Sequence, residues 1–292
     1  MSVLKTKLAH PSRMRGIFRY LLTIKGQREN IEVLKKIISP DKLVEGKKTP
    51  RPMFNSSLRE GIKCGLFIED DQDIAINPDL PEDAKNPQLG DKLLPDTLTR
   101  LLFANDNEDE EDFGRVCAWY LAQDIYDAPG TEQEVQSCVS EQKVGDFLKM
   151  TSDVLFDQMD DWMFYLGLTW RHALDKKTVS VPDPTNYLKR NIKTLFNGGK
   201  EVLIKDFIAR LSHQCPLFET GKFRNEVENI IGARLPSYLS SSTAFALFRL
   251  RDEGYIKLAR KSDADLMILP KINNQVDDDG RVSHLILQEE NV

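Results

Sequence analysis

The side chains best suited to chemistry are scattered along this sequence. Its four histidines, His10, His172, His213 and His284, have no Asp or Cys at metal-ligand spacing. Asp160 and Asp161 form a carboxylate pair, but neighbours on a helix point about 100° apart and cannot share one metal. Gly198-Gly199-Lys200 lacks the GxxxxGKS/T frame and a preceding strand, so it reads as a turn before a helix. GxSxG, HExxH and GxGxxG do not occur. Cys64, Cys117, Cys138 and Cys215 stand 21 or more residues apart without a CxxC, the pattern of reduced thiols in a cytoplasmic protein. The sequence predicts no enzyme: no catalytic residue, no metal and no cofactor.

Nucleic-acid chemistry is better represented. The 292 residues carry a net charge of −6, unevenly distributed. Residues 1–63 hold 15 Lys+Arg against 5 Asp+Glu, residues 64–186 hold 9 against 27, residues 187–260 hold 13 against 7, and the tail holds 3 against 7. A basic module is the footprint of a phosphate binder, because each neutralised phosphate releases counterions. Within it, Asn55, Ser56, Ser57, Arg59 and Lys63 can bond base edges or phosphates, while Arg13, Arg15, Arg19, Lys47, Lys48 and Arg51 can grip the backbone. The aromatic group Trp162, Phe164, Tyr165 and Trp170 reads as core packing, with base stacking as the alternative.

Three helices are expected to position these residues. Ser12 can cap the first, which buries Ile17, Phe18, Leu21 and Leu22 and ends at Gly26. The second, residues 29–38, is expected to bury Ile31, Leu34, Ile37 and Ile38 before Pro40, and the third covers 54–64. Gly65-Leu66-Phe67-Ile68, a polar turn and Ile74-Ala75-Ile76 then read as a hairpin. Three helices and a hairpin make a winged helix, the form of helix-turn-helix whose last helix enters the major groove. Its acidic wing, residues 69–73, would be repelled by phosphate.

The order helix, glycine, strand, polar turn, strand, proline recurs twice, with glycines at 65, 167 and 254. In the middle copy Trp170 and Thr178–Val181 form the hairpin, the upstream helices are expected at 116–125 and 144–149, and 127–134 as a loop. Asp157, Asp160 and Asp161 make that copy a poor DNA reader and a protein-contact module. The last copy has upstream helices at 201–213 and 223–231, a helix at 243–252 and a hairpin of 254–258 with 266–270. It offers Ser240, Ser241, Ser242, Thr243, Arg249, Arg251, Lys257, Arg260 and Lys261, though Phe245, Leu247, Phe248 and Leu250 claim most of its helix for packing. The expected class is mainly α with small β-hairpins (α+β), as three tandem winged-helix modules. Their bounds are 1–80 (basic), 95–184 (acidic) and 187–272, followed by a polar tail over 273–292 whose last dozen residues are expected to fray. Four prolines between Asn77 and Pro95 suggest a linker, and residues 105–112 a solvated acidic loop.

Three stretches, Ser12–Leu21, Leu58-Arg59-Glu60-Gly61-Ile62 before Gly65-Leu66, and Val181-Pro182-Asp183-Pro184-Thr185, resemble the DpdG-like proteins of bacterial antiphage-defence islands. The clusters that contain these proteins insert 7-deazapurines into DNA. The resemblance implies a cytoplasmic defence protein that works with ATPase, helicase or nuclease partners, and it carries over no catalytic residue. No apolar run nears the ~18–20 residues of a membrane span, and the first sixteen residues lack a signal-peptide core. The sequence thus predicts a non-catalytic component that binds double-stranded DNA within a multi-protein assembly, away from membranes. A protein–protein adaptor without DNA contact and a transcriptional regulator are the alternatives.

Overall fold

The structure is a computed structural model that describes residues 2–43, 51–104, 107–149, 154–174, 177–272 and 277–288. The chain divides into two compact units, residues 1–110 and 111–292. It is mostly helical, with small antiparallel sheets, which is the expected α+β class.

In the first unit, α1 (Pro11–Thr23) begins on a proline, whose missing N–H costs nothing at a helix start. The expected cap Ser12 lies inside the helix, and the N-cap residue is His10, whose side chain makes no capping bond. Met14, Ile17, Phe18, Leu21 and Leu22 form the buried stripe. β1 (Arg28–Asn30) follows, then α2 (Ile31–Ile38), where the Asn30 side chain caps the Glu32 amide at 3.0 Å. α3 (Pro52–Lys63) buries Phe54, Leu58 and Gly61 and leads into β2 (Phe67–Asp70) and β3 (Asp73–Ile76). The sheet order is β1-β3-β2, antiparallel throughout, with Arg28 opposite Ala75 and Phe67 opposite Ile76.

Three expectations for this unit change. α2 buries only Leu34; Ile31 and Ile38 are half-buried and Ile37 stays 46 % exposed. The proline-rich stretch is not a linker: it holds α4 (Glu82–Lys85) and α5 (Gly90–Leu102), with Pro95 inside α5 and Leu94, Leu98 and Leu102 buried. A Cβ on Gly90 would lie 2.3 Å from the Ala84 carbonyl oxygen, so the α4–α5 approach needs glycine there. The acidic run is not wholly solvated either. Glu110 is buried and accepts from Ser2 Oγ (2.6 Å) and the Val3 amide (2.9 Å), while residues 105 and 106 lie outside the described residues.

The second unit begins with α6 (Glu111–Ala122), α7 (Glu132–Glu141), α8 (Gly145–Leu148) and α9 (Val154–Leu166), followed by β4 (Trp170–Leu174) and β5 (Lys177–Val181). α7 overlaps the stretch expected as a loop. Thr131 and Glu134 close a capping box at its start, a T-x-x-E signal present in the sequence. β5 has a second neighbour in Gly130, whose carbonyl accepts the Ser180 amide at 2.9 Å.

α10 (Thr185–Phe196), β6 (Glu201–Leu203), α11 (Ile204–Gln214), α12 (Lys222–Ile231) and α13 (Ser241–Asp252) complete the helical part. β7 (Ile256–Ala259), β8 (Met267–Ile268), β9 (Arg281–Val282) and β10 (His284–Leu287) follow. The expected hairpin of 254–258 with 266–270 does not form. β7 pairs with β10, which also pairs with β6, giving the order β6-β10-β7. Met267 and Ile268 pair with β9, and Ile268 exchanges backbone bonds with Ser237 and Leu239. The apolar run Leu285-Ile286-Leu287 is the reason: Leu285 is fully buried, so this part of the tail is an interior strand and not frayed. Gly114 on α6 admits the Phe223 ring of α12 where a Cβ would lie 2.6 Å from it.

The repeated helix–glycine–strand pattern has one geometry. Gly65, Gly167 and Gly254 have φ of +80°, +78° and +77°. After each, the next amide reaches back five residues: Leu66 to Gly61, Leu168 to Met163, and Tyr255 to Leu250, all at 2.9 Å. These are Schellman helix ends, which need a left-handed residue and therefore favour glycine.

Candidate nucleic-acid interface

α3 sorts its residues by the 3.6-residue period. Phe54, Ser57, Leu58, Glu60 and Gly61 face inward, and Asn55, Ser56, Arg59 and Lys63 lie on the outward stripe. The Arg59 side chain is 61 % exposed, with Nε 3.3 Å from Glu60 Oε1. Lys63 Nζ stands 3.6 Å from Glu60 and 3.4 Å from Asp109. The four residues form one hydrogen-bonding surface on the helix that precedes the β2–β3 hairpin. Arg13 is exposed on α1.

The other predicted grips are engaged inside the unit. Arg15 makes a two-pronged pair with Asp91 of α5, both bonds 2.7 Å, and Arg19 Nε lies 3.6 Å from the same carboxylate. These cations hold the Asp91 carboxyl below its ordinary range, chiefly through the Arg15 hydrogen bond. Arg51 has a left-handed backbone at the start of α3; its Nε donates to the Ser39 carbonyl at 2.9 Å and its Nη2 pairs with Asp41. It ties the end of α2 to the start of α3. Lys47 and Lys48 lie outside the described residues.

Among the described residues, several cations of the basic stretch are thus paired with acids of the same unit. Residues 1–110 carry 18 basic and 18 acidic residues, and the fold pairs the early cations with the later acids. Arg28 is a further case, missed because Arg28-Glu29-Asn30 is too short and polar to signal a strand. It bonds Asp70 at 2.6 Å and Asp73 at 2.9 Å, and those carboxylates raise its pKa. The acidic turn is thus held by an arginine of its own sheet. Sequence reasoning also missed Lys36, which lies on the exposed side of α2 with Val33 and Ile37.

In the second unit, Arg171 joins the two adjacent aspartates, with Nε 2.8 Å from Asp160 and Nη2 2.7 Å from Asp161. Asp160 also accepts from Ser180 Oγ at 2.6 Å, and burial raises its pKa. Trp162 is core, whereas Phe164 and Trp170 are exposed, Trp170 stacked on His172 with centroids 5.1 Å apart. The start of α13 faces inward: Ser240 caps the helix and donates to Glu219 at 2.7 Å, and Ser242 and Thr243 are buried. Arg249 pairs with Asp183, Arg251 with Asp279, and Lys261 with Glu201. Burial pushes the Cys64 thiol up to about 12, which makes it an inert core thiol. Among the described residues no group of three or more His, Cys, Asp and Glu side chains could hold a metal.

This geometry defines a mainly helical α+β protein built from helix–glycine–strand units, with a polar helix face exposed in the first. A family model for DpdG-like proteins matches residues 1–264, and the chain belongs to that family. No curated protein and no solved structure matches the chain. Among the described residues, no helix is long and apolar enough to cross a membrane.

Proposed function

We propose that this protein is a non-catalytic DNA-binding component of a bacterial antiphage-defence or DNA-processing complex, built from tandem winged helices and working in the cytoplasm. The order helix, strand, helix, helix, strand, strand with sheet order β1-β3-β2 supports a winged helix in the first unit. Membership of the DpdG-like family supports the defence setting. The single observation that carries DNA binding is the outward stripe Asn55, Ser56, Arg59 and Lys63 on the third helix. In this reading the stripe enters the major groove and Arg13 touches phosphate. The α10–α13 module resembles the plan with one helix more and the sheet order β6-β10-β7, but the start of α13 is buried, so it serves packing.

A fluorescence-anisotropy titration of a generic duplex at several salt concentrations tests this. The reading expects log affinity to fall with log salt by about 0.9 per phosphate neutralised, and expects Arg59→Glu to abolish binding. No binding at low salt would discard it. One observation favours a protein adaptor instead: the first unit is charge-neutral, with Arg15, Arg19, Arg28 and Arg51 already paired. An adaptor would capture protein partners from a lysate with the Arg59→Glu variant as well as with wild type, and would show no salt-dependent DNA binding.

A further inference from the structure

A cleft of about 240 Å³ opens in the second unit between α12, the segment that follows it and the start of α13. Its wall includes Arg224, Glu228, Leu235, Tyr238, Ser240 and Ser241. Arg224 is only 2 % exposed. Its Nε donates to Glu228 Oε1 at 2.5 Å, and among the described residues no protein acceptor meets its two Nη groups, which border the cleft.

The neighbouring charges are already committed. Glu228 Oε1 also takes Arg234 Nε at 2.7 Å, and Arg234 continues to Glu219 and to the Tyr238 carbonyl. Glu219 accepts from Ser240 Oγ and the Ser240 amide. Burial lowers the Arg224 pKa in spite of the neighbouring Glu219 and Glu228. A buried guanidinium edge with unsatisfied donors favours a two-oxygen acceptor. The first turn of the twelve-residue α13 adds donors: the Ser240 side chain caps the Thr243 amide, and the first amides of any helix lack an intrahelical acceptor.

We infer that this cleft binds a small ligand with an oxyanion head, a phosphate ester or a carboxylate, and an apolar body. The head lies on Arg224 at the start of α13, and the body lies against Leu235 and Tyr238. Asp124 is the lining carboxylate not held by an arginine, and it opposes the ligand's charge.

The full chain is titrated calorimetrically with phenyl phosphate, phenylacetate and benzyl alcohol, which share a body and differ in the head. One or both oxyanions are expected to bind 1:1 and benzyl alcohol far more weakly. Tighter binding of phenyl phosphate assigns a phosphate ester, and tighter binding of phenylacetate assigns a carboxylate. Arg224→Lys, which keeps the charge and loses the fork, is expected to weaken binding about tenfold. Because Arg224 is buried, Leu235→Asp is the second variant: Leu235 is 64 % exposed, so the fold is retained while the new charge repels the ligand. Asp124→Asn is expected to tighten binding. Equal binding of benzyl alcohol, no binding of either oxyanion at about 10 mM, or affinities unchanged in Leu235→Asp and Asp124→Asn would overturn the assignment. DNA binding by the first unit has no part in this measurement, so the two readings fail separately.

Discussion

Asp91 on α5 receives Arg15 of α1 through two parallel bonds of 2.7 Å each, and Arg19 stands 3.6 Å from the same carboxylate. Two cations that a basic sequence offers to DNA are thereby held by a side chain beyond residues 1–80. Asp91→Asn removes the counter-charge without removing either arginine. Salt-dependent duplex affinity should rise several-fold, while urea stability falls by no more than about 1 kcal/mol, the range for an exposed pair. Unchanged affinity would show that Arg15 and Arg19 do not meet DNA.

Glu110 gives the first unit a pH dependence of defined sign. Burial, opposed by the bonds from Ser2 and Val3, pushes its carboxyl up to about 7. In the unfolded chain the group titrates near its ordinary value of about 4.3. Between these values the folded state holds the extra proton, so stability declines as pH rises from about 4.3 toward 7 and levels off above. Glu110→Gln should flatten that decline, by on the order of 2 kcal/mol between pH 5 and 8. Denaturation midpoints at the two pH values decide it.

The three Schellman glycines should not tolerate alanine equally. A Cβ on Gly65 would have nothing nearer than 3.7 Å, whereas on Gly167 it would lie 2.6 Å from Arg190 Nη1 and 3.1 Å from the Tyr187 amide. Gly65→Ala should cost about 1 kcal/mol for the left-handed backbone alone. Gly167→Ala should cost measurably more, because Arg190 also holds the Leu166 carbonyl at 2.6 Å. Equal losses in urea titrations would mean that the α10 packing at Gly167 is looser than the structure shows.

Arg171 compensates a buried aspartate and its neighbour. Arg171→Ala leaves Asp160 with Ser180 alone, an expected loss of about 1–3 kcal/mol at neutral pH. The Asp160 pKa then climbs further, so the deficit should shrink as pH falls and the carboxylate takes a proton. Asp160→Asn in the same background should restore part of the loss at pH 7; a pH-independent deficit would contradict this account.

Local signals in the chain were sufficient where an element is set by its own residues. The α1 stripe from Ile17 to Leu22, the β2–β3 hairpin and the glycine endings of α3, α9 and α13 follow from period and turn chemistry. The capping box that starts α7 is equally local, a T-x-x-E signal at Thr131 and Glu134. The outward stripe of α3 was also legible, since Asn55, Ser56, Arg59 and Lys63 recur on one helical face.

What the sequence by itself determined is the α+β class, the repeated helix–glycine–strand unit, the absence of an enzyme motif and the likeness to the DpdG-like family. Only the tertiary structure decided which charges remain for a ligand and which strand pairs with which. Charge along a chain is not charge in space: Asp91 neutralises an arginine 76 positions away, and Asp70 and Asp73 neutralise Arg28. Strand pairing is likewise non-local. β7 takes β10 rather than the nearer residues 266–270 because a buried apolar strand is stabilised by backbone bonds on both edges, and Leu285 lies where β6 and β7 can supply them.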